Sequence, residues 1–313
     1  FSRLGLSAFV ILGLGTAVQI LAMGVVDRVF PQWMENSWGM WLITFAPLYL
    51  IAVPVGLLLL RKVPVKPLEK HDLKPGRYIV SAIICIFMMY AGNILGTVIT
   101  ALLQLLPGIS AGNPILGYAT DNALLPKVLF MVILAPVIEE YIFRKQLIDR
   151  MHIYGEKLAV ITSALMFGLF HGNLSQLFYA FALGLVFGYV YLKTGRLRYS
   201  IGLHMLINFI GSVAGPFFLE KLAVLDTMET MDMAALEPIL PWLLGFGAYV
   251  LVLIGLAIAG LVLLCINKRR VSFAPAELEL PKESRFRIVY LNVGMILLIL
   301  GCAALIISNV IML

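Results

Sequence analysis

Long apolar runs alternate with short polar segments along the whole chain. Each run is about 20 residues long and lacks the strict alternation of a barrel strand. Because only helices and closed barrels satisfy their backbone hydrogen bonds in lipid, the runs predict helices. We predict about nine spans, with eight as the alternative, at residues 6–26, 40–60, 78–105, from 127, 158–172, 174–192, 199–219, 239–266 and 288–313.

The composition supports a membrane protein. Hydrophobic residues make up 61% of the 313 residues and charged residues only 13%, against about 25% in a soluble domain. We predict an all-α fold, a polytopic transmembrane helical bundle that forms a single membrane domain over residues 1–313. The net charge of +6 lies in short loops, so it indicates contact with membrane lipid and gives no reason to expect nucleic-acid binding. The chain begins with Phe1 instead of Met, so we expect its natural start upstream.

Every second loop is basic, in the segments 61–77, 144–157, 193–198 and 268–287. Positively charged loops tend to stay in the cytoplasm. The alternation therefore predicts a cytoplasmic amino terminus and, with nine spans, a carboxy terminus outside. We expect an integral protein of a bacterial-type plasma membrane.

Two adjacent carboxylates, Glu139 and Glu140, lie at the end of an apolar run that starts near Val128. Arg144 follows Glu140 by four residues, so the two share a helix face and can pair. Glu139 points about 100° away, toward a different neighbour. Charged groups in a membrane helix are costly and usually functional. We predict a site here, within a motif-bearing core of about residues 125–215.

Two histidines lie in or beside later spans. His171 follows Phe167 by one helical turn, and His204 precedes Asn208 by one turn. Glu139 in apolar surroundings would be a useful general base, and with His171 it could hold and deprotonate a water. His204 and Asn208 could both donate toward a developing oxyanion. These groups are sufficient for peptide-bond hydrolysis without a covalent nucleophile.

The same atoms permit a metal site. Glu139, His171 and His204 could form a zinc site of two histidines and one carboxylate with an open position, although the H-E-x-x-H motif is absent. We expect no cofactor and keep zinc as the alternative. The three cysteines lie inside apolar runs and predict neither disulfides nor metal ligands.

Three short motifs carry a family resemblance. They are E-E-Y-I-F-R at 139–144, F-G-L-F-H at 167–171 and H-M-L-I-N at 204–208. They resemble the motifs EExxxR, FxxxH and HxxxN, which occur in this order in the CAAX-protease and bacteriocin-processing family of intramembrane proteases, also called Abi proteins. Each motif is weak alone, whereas the three in order on membrane helices are specific. The resemblance implies an all-helical fold with a water-filled cavity between the motif helices.

The resemblance also implies roles for single residues. Glu139 would activate the water together with His171, and His204 and Asn208 would stabilise the oxyanion. The supporting positions would be those of Glu140, Arg144 and Phe167.

We therefore interpret the chain as an intramembrane endopeptidase that acts on a membrane-embedded or lipid-anchored peptide or protein. One alternative is a membrane scaffold or regulatory subunit that keeps the motifs and works through a partner subunit or as a homodimer. The other is an ion-coupled transporter in which Glu139, Glu140 and Arg144 relay ions. The sequence shows no inverted repeat, which argues against the transporter.

The interpretation sets a geometric condition. If the fourth span ended at Arg144, Glu139 would lie about 7 Å above its inner boundary, whereas His171 would lie about 20 Å above the start of the fifth span. The two could not meet. We therefore predict that the helix continues to about Arg150 and that the fifth span begins nearer Ala159. We also expect Glu139 within about 8 Å of at least one imidazole, the reach of a single bridging water.

Overall fold

The computed structural model describes residues 1–109, 123–223, 225 and 237–311. Over these residues it contains helices and no strand, so the all-α prediction is confirmed. The last two residues of the predicted ninth span, 312–313, lie outside the described residues. The helical segments are α1 (Ser2–Val29), α2 (Ser37–Leu58), α3 (Pro75–Leu103), α4 (124–154), α5 (Glu156–Phe170), α6 (Leu174–Thr194), α7 (Leu197–Leu222), α8 (Leu240–Arg270) and α9 (Val293–Val310), with a short helix, Arg285–Tyr290, before α9.

Each predicted span corresponds to one of these nine segments. Among the described helices, seven are long and apolar enough to cross a membrane, namely all except α4 and α5. α5 has 15 residues and is therefore about 22 Å long, shorter than the hydrocarbon core of about 30 Å. α5 and α6 thus form a short hairpin whose tip lies inside the depth of the bundle.

Helix α3 packs against α6, α7 and α8. α6 also packs against α5, α7 packs against α4, and α1 packs against α2 and α9. α3 and α6 approach closely at Gly92, where an added Cβ would clash with the backbone of Tyr179. Only glycine allows this approach, which fixes the height of the α5–α6 hairpin against α3.

The four basic segments meet at one end of the bundle, which we call the basic end. The amino terminus lies there too, since the rings of Phe1 and Tyr154 are 5.4 Å apart. The loop alternation seen in the sequence therefore corresponds to one common side. Three backbone hydrogen bonds join the segments. The N–H of Lys66 donates to the Asp149 carbonyl at 2.9 Å, that of His71 to the Thr194 carbonyl at 2.8 Å, and that of Glu277 to the Ile153 carbonyl at 2.8 Å.

Helix α4 continues well past Arg144, as predicted. Its α and π segments follow one another up to Met151, and a 3-10 turn ends the helix. α5 begins at Glu156, three residues before the predicted Ala159. Glu139 and His171 are consequently at similar heights, both about 20 Å from the basic end.

Wide π-helical turns interrupt three of the described helices. They are Pro47–Ala52 in α2, Val128–Leu134 and Tyr141–Gln146 in α4, and Ile210–Ala214 in α7. In three cases the next α segment has proline as its second residue: Pro54, Pro136 and Pro216. Proline lacks an N–H and clashes with the preceding turn, so the helix widens before it. Such turns often mark functional sites, and two of them flank the adjacent glutamates.

Candidate active site

The predicted pair of Glu140 and Arg144 is present and fully buried. Arg144 Nε donates to Glu140 Oε2 at 3.0 Å, and both side chains are 0% exposed. Arg144 Nη1 also donates to Ser163 Oγ at 3.0 Å, and Ser163 donates to the Phe143 carbonyl at 2.6 Å. The guanidinium lies 4.8 Å from the centre of the Phe167 ring. Arg144 therefore neutralises Glu140 and connects α4 to α5.

His204 lies between the two adjacent carboxylates. Its Nδ1 is 3.2 Å from Glu140 Oε1, and its Nε2 is 3.7 Å from Glu139 Oε2. The imidazole stacks on Phe187 and meets the edge of Phe167, with ring centres 5.1 and 5.6 Å away. Because Glu140 is ionised by its pairing with Arg144, it orients His204 with a hydrogen on Nδ1. His204 Nε2 therefore faces Glu139.

The two glutamates have different environments. Glu140 is 0% exposed, whereas the Glu139 side chain is 24% exposed. The gap of 3.7 Å between Glu139 and His204 is longer than a hydrogen bond, and a water about 2.8 Å from both atoms would join them. The distance condition set by the sequence is met, and the neighbour that meets it is His204.

His171 directly follows α5, at the tip of the α5–α6 hairpin. Its Nδ1 is 2.8 Å from the Phe167 carbonyl, and a carbonyl only accepts, so Nδ1 carries the hydrogen. His171 Nε2 is then left with a lone pair that can accept from water. Among the described residues, the ion-pair contact of Glu139 is with His204. That Glu139 and His171 hold a water between them stays a prediction, and the imidazole 3.7 Å from the Glu139 carboxylate is that of His204.

Asn208 lies one turn after His204, as the sequence indicates, but its amide has a structural partner. Asn208 Nδ2 donates to the Met131 carbonyl at 2.8 Å. In the π segment of α4, backbone hydrogen bonds join residues five apart, as where the N–H of Ala135 donates to the Phe130 carbonyl. By the same spacing the Met131 carbonyl would pair with the N–H of residue 136, but Pro136 has no N–H. Asn208 therefore satisfies the carbonyl that proline leaves without a helical partner, and it holds α7 against α4.

The sequence comparisons point to the same residues. Residues 121–210 match the family model described as type II CAAX prenyl endopeptidase, Rce1-like. The motif-bearing core is therefore similar to the Rce1-like CAAX endopeptidases. The membrane-embedded CAAX protease MroQ of Staphylococcus aureus (strain USA300) is 33% identical over 88 residues, which are 26% of this chain and 36% of that relative. The chain thus spans about a third of the curated relative's length, and no solved structure matches.

The match confirms the resemblance read from the three motifs. The matched segment contains Glu139, His171, His204 and Asn208, which lie on α4, at the hairpin tip and on α7. Of these, the structure brings Glu139 and His204 into direct contact. Over the described residues, no group of three or more His, Cys, Asp or Glu side chains is placed to hold a metal ion.

Sequence reasoning missed a chain of polar side chains at the start of α6. Asn173 Nδ2 donates to the His171 carbonyl at 2.9 Å and to Gln176 Oε1 at 2.7 Å. Gln176 Nε2 donates to the Tyr179 hydroxyl at 2.8 Å. Both amides are buried. The available signal was their spacing, because polar residues at i, i+3 and i+6 fall near one face of an otherwise apolar helix.

Proposed function

We propose that the protein is an intramembrane endopeptidase that uses a water activated by Glu139 to hydrolyse a peptide bond in a membrane-embedded or lipid-anchored substrate. The observation that carries the proposal is the contrast between adjacent carboxylates. Glu140 is neutralised by Arg144, whereas Glu139 is partly exposed and 3.7 Å from His204. Pairs of acids held in different environments are typical of acid–base catalysis. The names of the matched family and relative favour a substrate ending in a CAAX sequence, and the family name favours a prenylated one.

The mechanism follows from the positions of the donors and acceptors. Glu139 takes one proton from the water while His171 Nε2 accepts a hydrogen bond from the other. The water oxygen attacks the scissile carbonyl carbon. The second N–H of Asn208 stabilises the oxyanion together with His204, which acts with a hydrogen on each ring nitrogen, Nδ1–H toward Glu140 and Nε2–H toward the oxyanion. Glu139 then returns its proton to the leaving nitrogen. The C–N bond breaks, leaving an amine and a carboxylic acid.

The location of the site agrees with cleavage inside the membrane. Glu139 and His171 lie about 20 Å from the basic end, against a hydrocarbon core of about 30 Å. We propose that the basic end faces the cytoplasm of a bacterial-type plasma membrane, with the amino terminus inside and the carboxy terminus outside. The clustering of all four basic segments at that end supports this orientation.

The test uses purified protein in lipid vesicles and a quenched fluorescent peptide that ends in S-farnesyl-cysteine and three further residues. Wild type should cleave it, and Glu139→Gln should lower kcat/KM by about 10²–10⁴-fold because the base is removed. Glu277→Gln makes the same chemical change at an exposed position of the basic end and should leave the rate unchanged. Product masses identify the bond that is cut.

A chelator arm addresses the zinc alternative. Under the proposal, phenanthroline leaves the rate unchanged, whereas a zinc enzyme loses activity. Equal cleavage by wild type and Glu139→Gln would refute the role of Glu139.

If wild type cuts no prenylated or membrane peptide and a cellular phenotype survives Glu139→Gln, the scaffold alternative gains, with a partner subunit or second copy as its target. Ion-dependent uptake into the vesicles would favour the transporter.

A further inference from the structure

The site has fewer unengaged hydrogen-bond donors than its motifs indicate. Asn208 commits one N–H to the Met131 carbonyl, and His204 Nδ1 faces Glu140. Stabilisation of a tetrahedral oxyanion depends on preorganised donors aimed at the place where charge develops. A further donor at the site would need a hydrogen to donate and a fixed orientation.

Tyr179 on α6 has these properties. Its hydroxyl accepts a hydrogen bond from Gln176 Nε2 at 2.8 Å, and no described residue accepts the hydroxyl hydrogen in return. Through Gln176 and Asn173, Tyr179 is connected by hydrogen bonds to the carbonyl of His171, so it lies beside the hairpin tip that carries this motif histidine. Tyr49 on α2 packs against a cluster that includes Met131 of α4, but no described side chain orients its hydroxyl.

The direction of the hydrogen bonds in the chain that leads to Tyr179 is set by the backbone. The backbone N–H of Gln176 donates to Asn173 Oδ1 at 2.9 Å, so the other amide atom of Asn173 is the nitrogen. That nitrogen donates to Gln176 Oε1, so the remaining Gln176 atom is also a nitrogen. Gln176 must then donate to Tyr179. The tyrosine hydrogen is consequently left to point away from the amide chain.

The chain is held rigidly at both ends. Asn173 caps α6 and bonds the carbonyl of His171, so it belongs to the same turn as a motif histidine. The carbonyl of Gly172, which follows His171, accepts a hydrogen bond from Asn309 Nδ2 of α9 at 3.0 Å. At the other end, the Tyr179 backbone is pressed against Gly92 of α3. Because α6 and the turn before it are fixed against α3 and α9, a side chain that α6 itself orients loses little further freedom when it binds a transition state.

We propose that Tyr179 is a further catalytic residue, whose hydroxyl donates a hydrogen bond to the oxyanion formed beside Glu139. The inference rests on the proposed peptidase function. Tyr179 donates to the oxygen of the attacked carbonyl as that oxygen becomes negative, and its own proton is not transferred. Gln176 and Asn173 are positioning residues that keep the hydroxyl hydrogen directed into the site.

The experiment compares Tyr179→Phe with Tyr189→Phe on the same helix, whose hydroxyl has no hydrogen-bond partner among the described residues. With the farnesylated peptide, Tyr179→Phe should lower kcat by about 10²-fold while KM changes by less than about threefold. Tyr189→Phe should match wild type. Gln176→Glu offers an acceptor that captures the tyrosine hydrogen, so it should also lower kcat although Tyr179 remains.

A second measurement separates catalysis from folding. The probe is the same peptide with its scissile amide replaced by a tetrahedral phosphinate. Tyr179→Phe should bind the phosphinate about 10²-fold more weakly, since the donor bonds the tetrahedral oxygen, and should bind uncleaved peptide as wild type does.

Unchanged kcat and phosphinate affinity in Tyr179→Phe, with wild type active, would overturn the inference and leave the peptidase function standing. A loss in Tyr49→Phe in place of Tyr179→Phe would overturn it as well. A wild-type protein that cuts no peptide would overturn both proposals.

Discussion

The Glu140–Arg144 pair at the site and the Lys66–Glu277 pair at the basic end are the same kind of contact in opposite surroundings. The nitrogen and oxygen atoms are 3.0 Å apart in the first and 2.6 Å apart in the second. Both side chains of the first are 0% exposed, and both of the second are 54% exposed. The shorter pair is the weaker one, because water already solvates both of its charges.

Burial also decides what each pair does. At the site, Glu140 faces His204, while Arg144 donates to Ser163 and lies over the ring of Phe167. At the basic end, the pairs join loops that backbone hydrogen bonds already hold together. We therefore expect the buried pair to determine the shape of the site and the exposed pairs to contribute little.

Asp149 gives an intermediate case on the same helix as the glutamates. Its carboxylate is 0% exposed, and it pairs with Lys145 at 2.6 Å, whose side chain is 35% exposed. Its other oxygen accepts from the buried Tyr191 hydroxyl at 2.8 Å. Three pairs thus form a series from the middle of the bundle to the basic end, and substitutions along it test whether burial sets the energies.

The largest effect is expected at the site. Arg144→Met fills a similar volume but leaves Glu140 charged and buried without its main partner, which should lower the free energy of unfolding by about 3–5 kcal/mol. The double variant Glu140→Gln/Arg144→Met removes both charges and should recover much of that loss. Thermal unfolding in detergent or lipid measures both.

The matched control is Arg150→Met on the same helix, where the guanidinium bonds the side chain and carbonyl of Gln146 near the basic end. This substitution should lower the free energy of unfolding by about 1 kcal/mol or less. If Arg144→Met and Arg150→Met lowered stability equally, burial would not be the property that distinguishes the two regions.

The sequence was sufficient for contacts within one helix. The pairing of Glu140 with Arg144 follows from four-residue spacing, and the continuation of α4 past Lys145 follows from the need to bring Glu139 to the height of His171. Motif order indicated the candidate catalytic residues, and the alternating basic loops indicated the common end.

Contacts between helices were harder to predict. His204 reaches Glu139 because α7 packs on α4, an arrangement that spacing along the chain does not specify. The amide of Asn208 donates to the Met131 carbonyl, which has no helical partner because Pro136 lacks an N–H five residues on. The π spacing that creates this pairing itself depends on tertiary packing. Tyr179 carried no motif, and its orientation becomes visible only once the hydrogen bonds from Asn173 are known.

The intermediate effect is expected at Asp149. Tyr191→Phe removes a hydroxyl that donates to a buried carboxylate, so we expect a loss of about 1.5–3 kcal/mol in the free energy of unfolding. Tyr189→Phe, two residues earlier, should change it by about 0.5 kcal/mol or less. Chemical denaturation of the two variants in parallel measures the difference, and equal losses would mean that the carboxylate has no need of the hydroxyl.

The smallest effect is expected at Glu277, and its pH dependence identifies its origin. The hydrogen bond from Lys66 holds the pKa of the Glu277 carboxyl below its usual value. Because the folded pKa is the lower one, the pair stabilises the fold above the pKa of the unfolded carboxyl, and the benefit disappears as pH falls through the folded value. Glu277→Gln should therefore melt slightly below wild type at neutral pH and together with it in acid. High salt should narrow the neutral-pH gap, since exposed charges are screened. A gap that persisted in acid, or one as large as that of Tyr191→Phe, would show that Glu277 stabilises the basic end by something other than its charge.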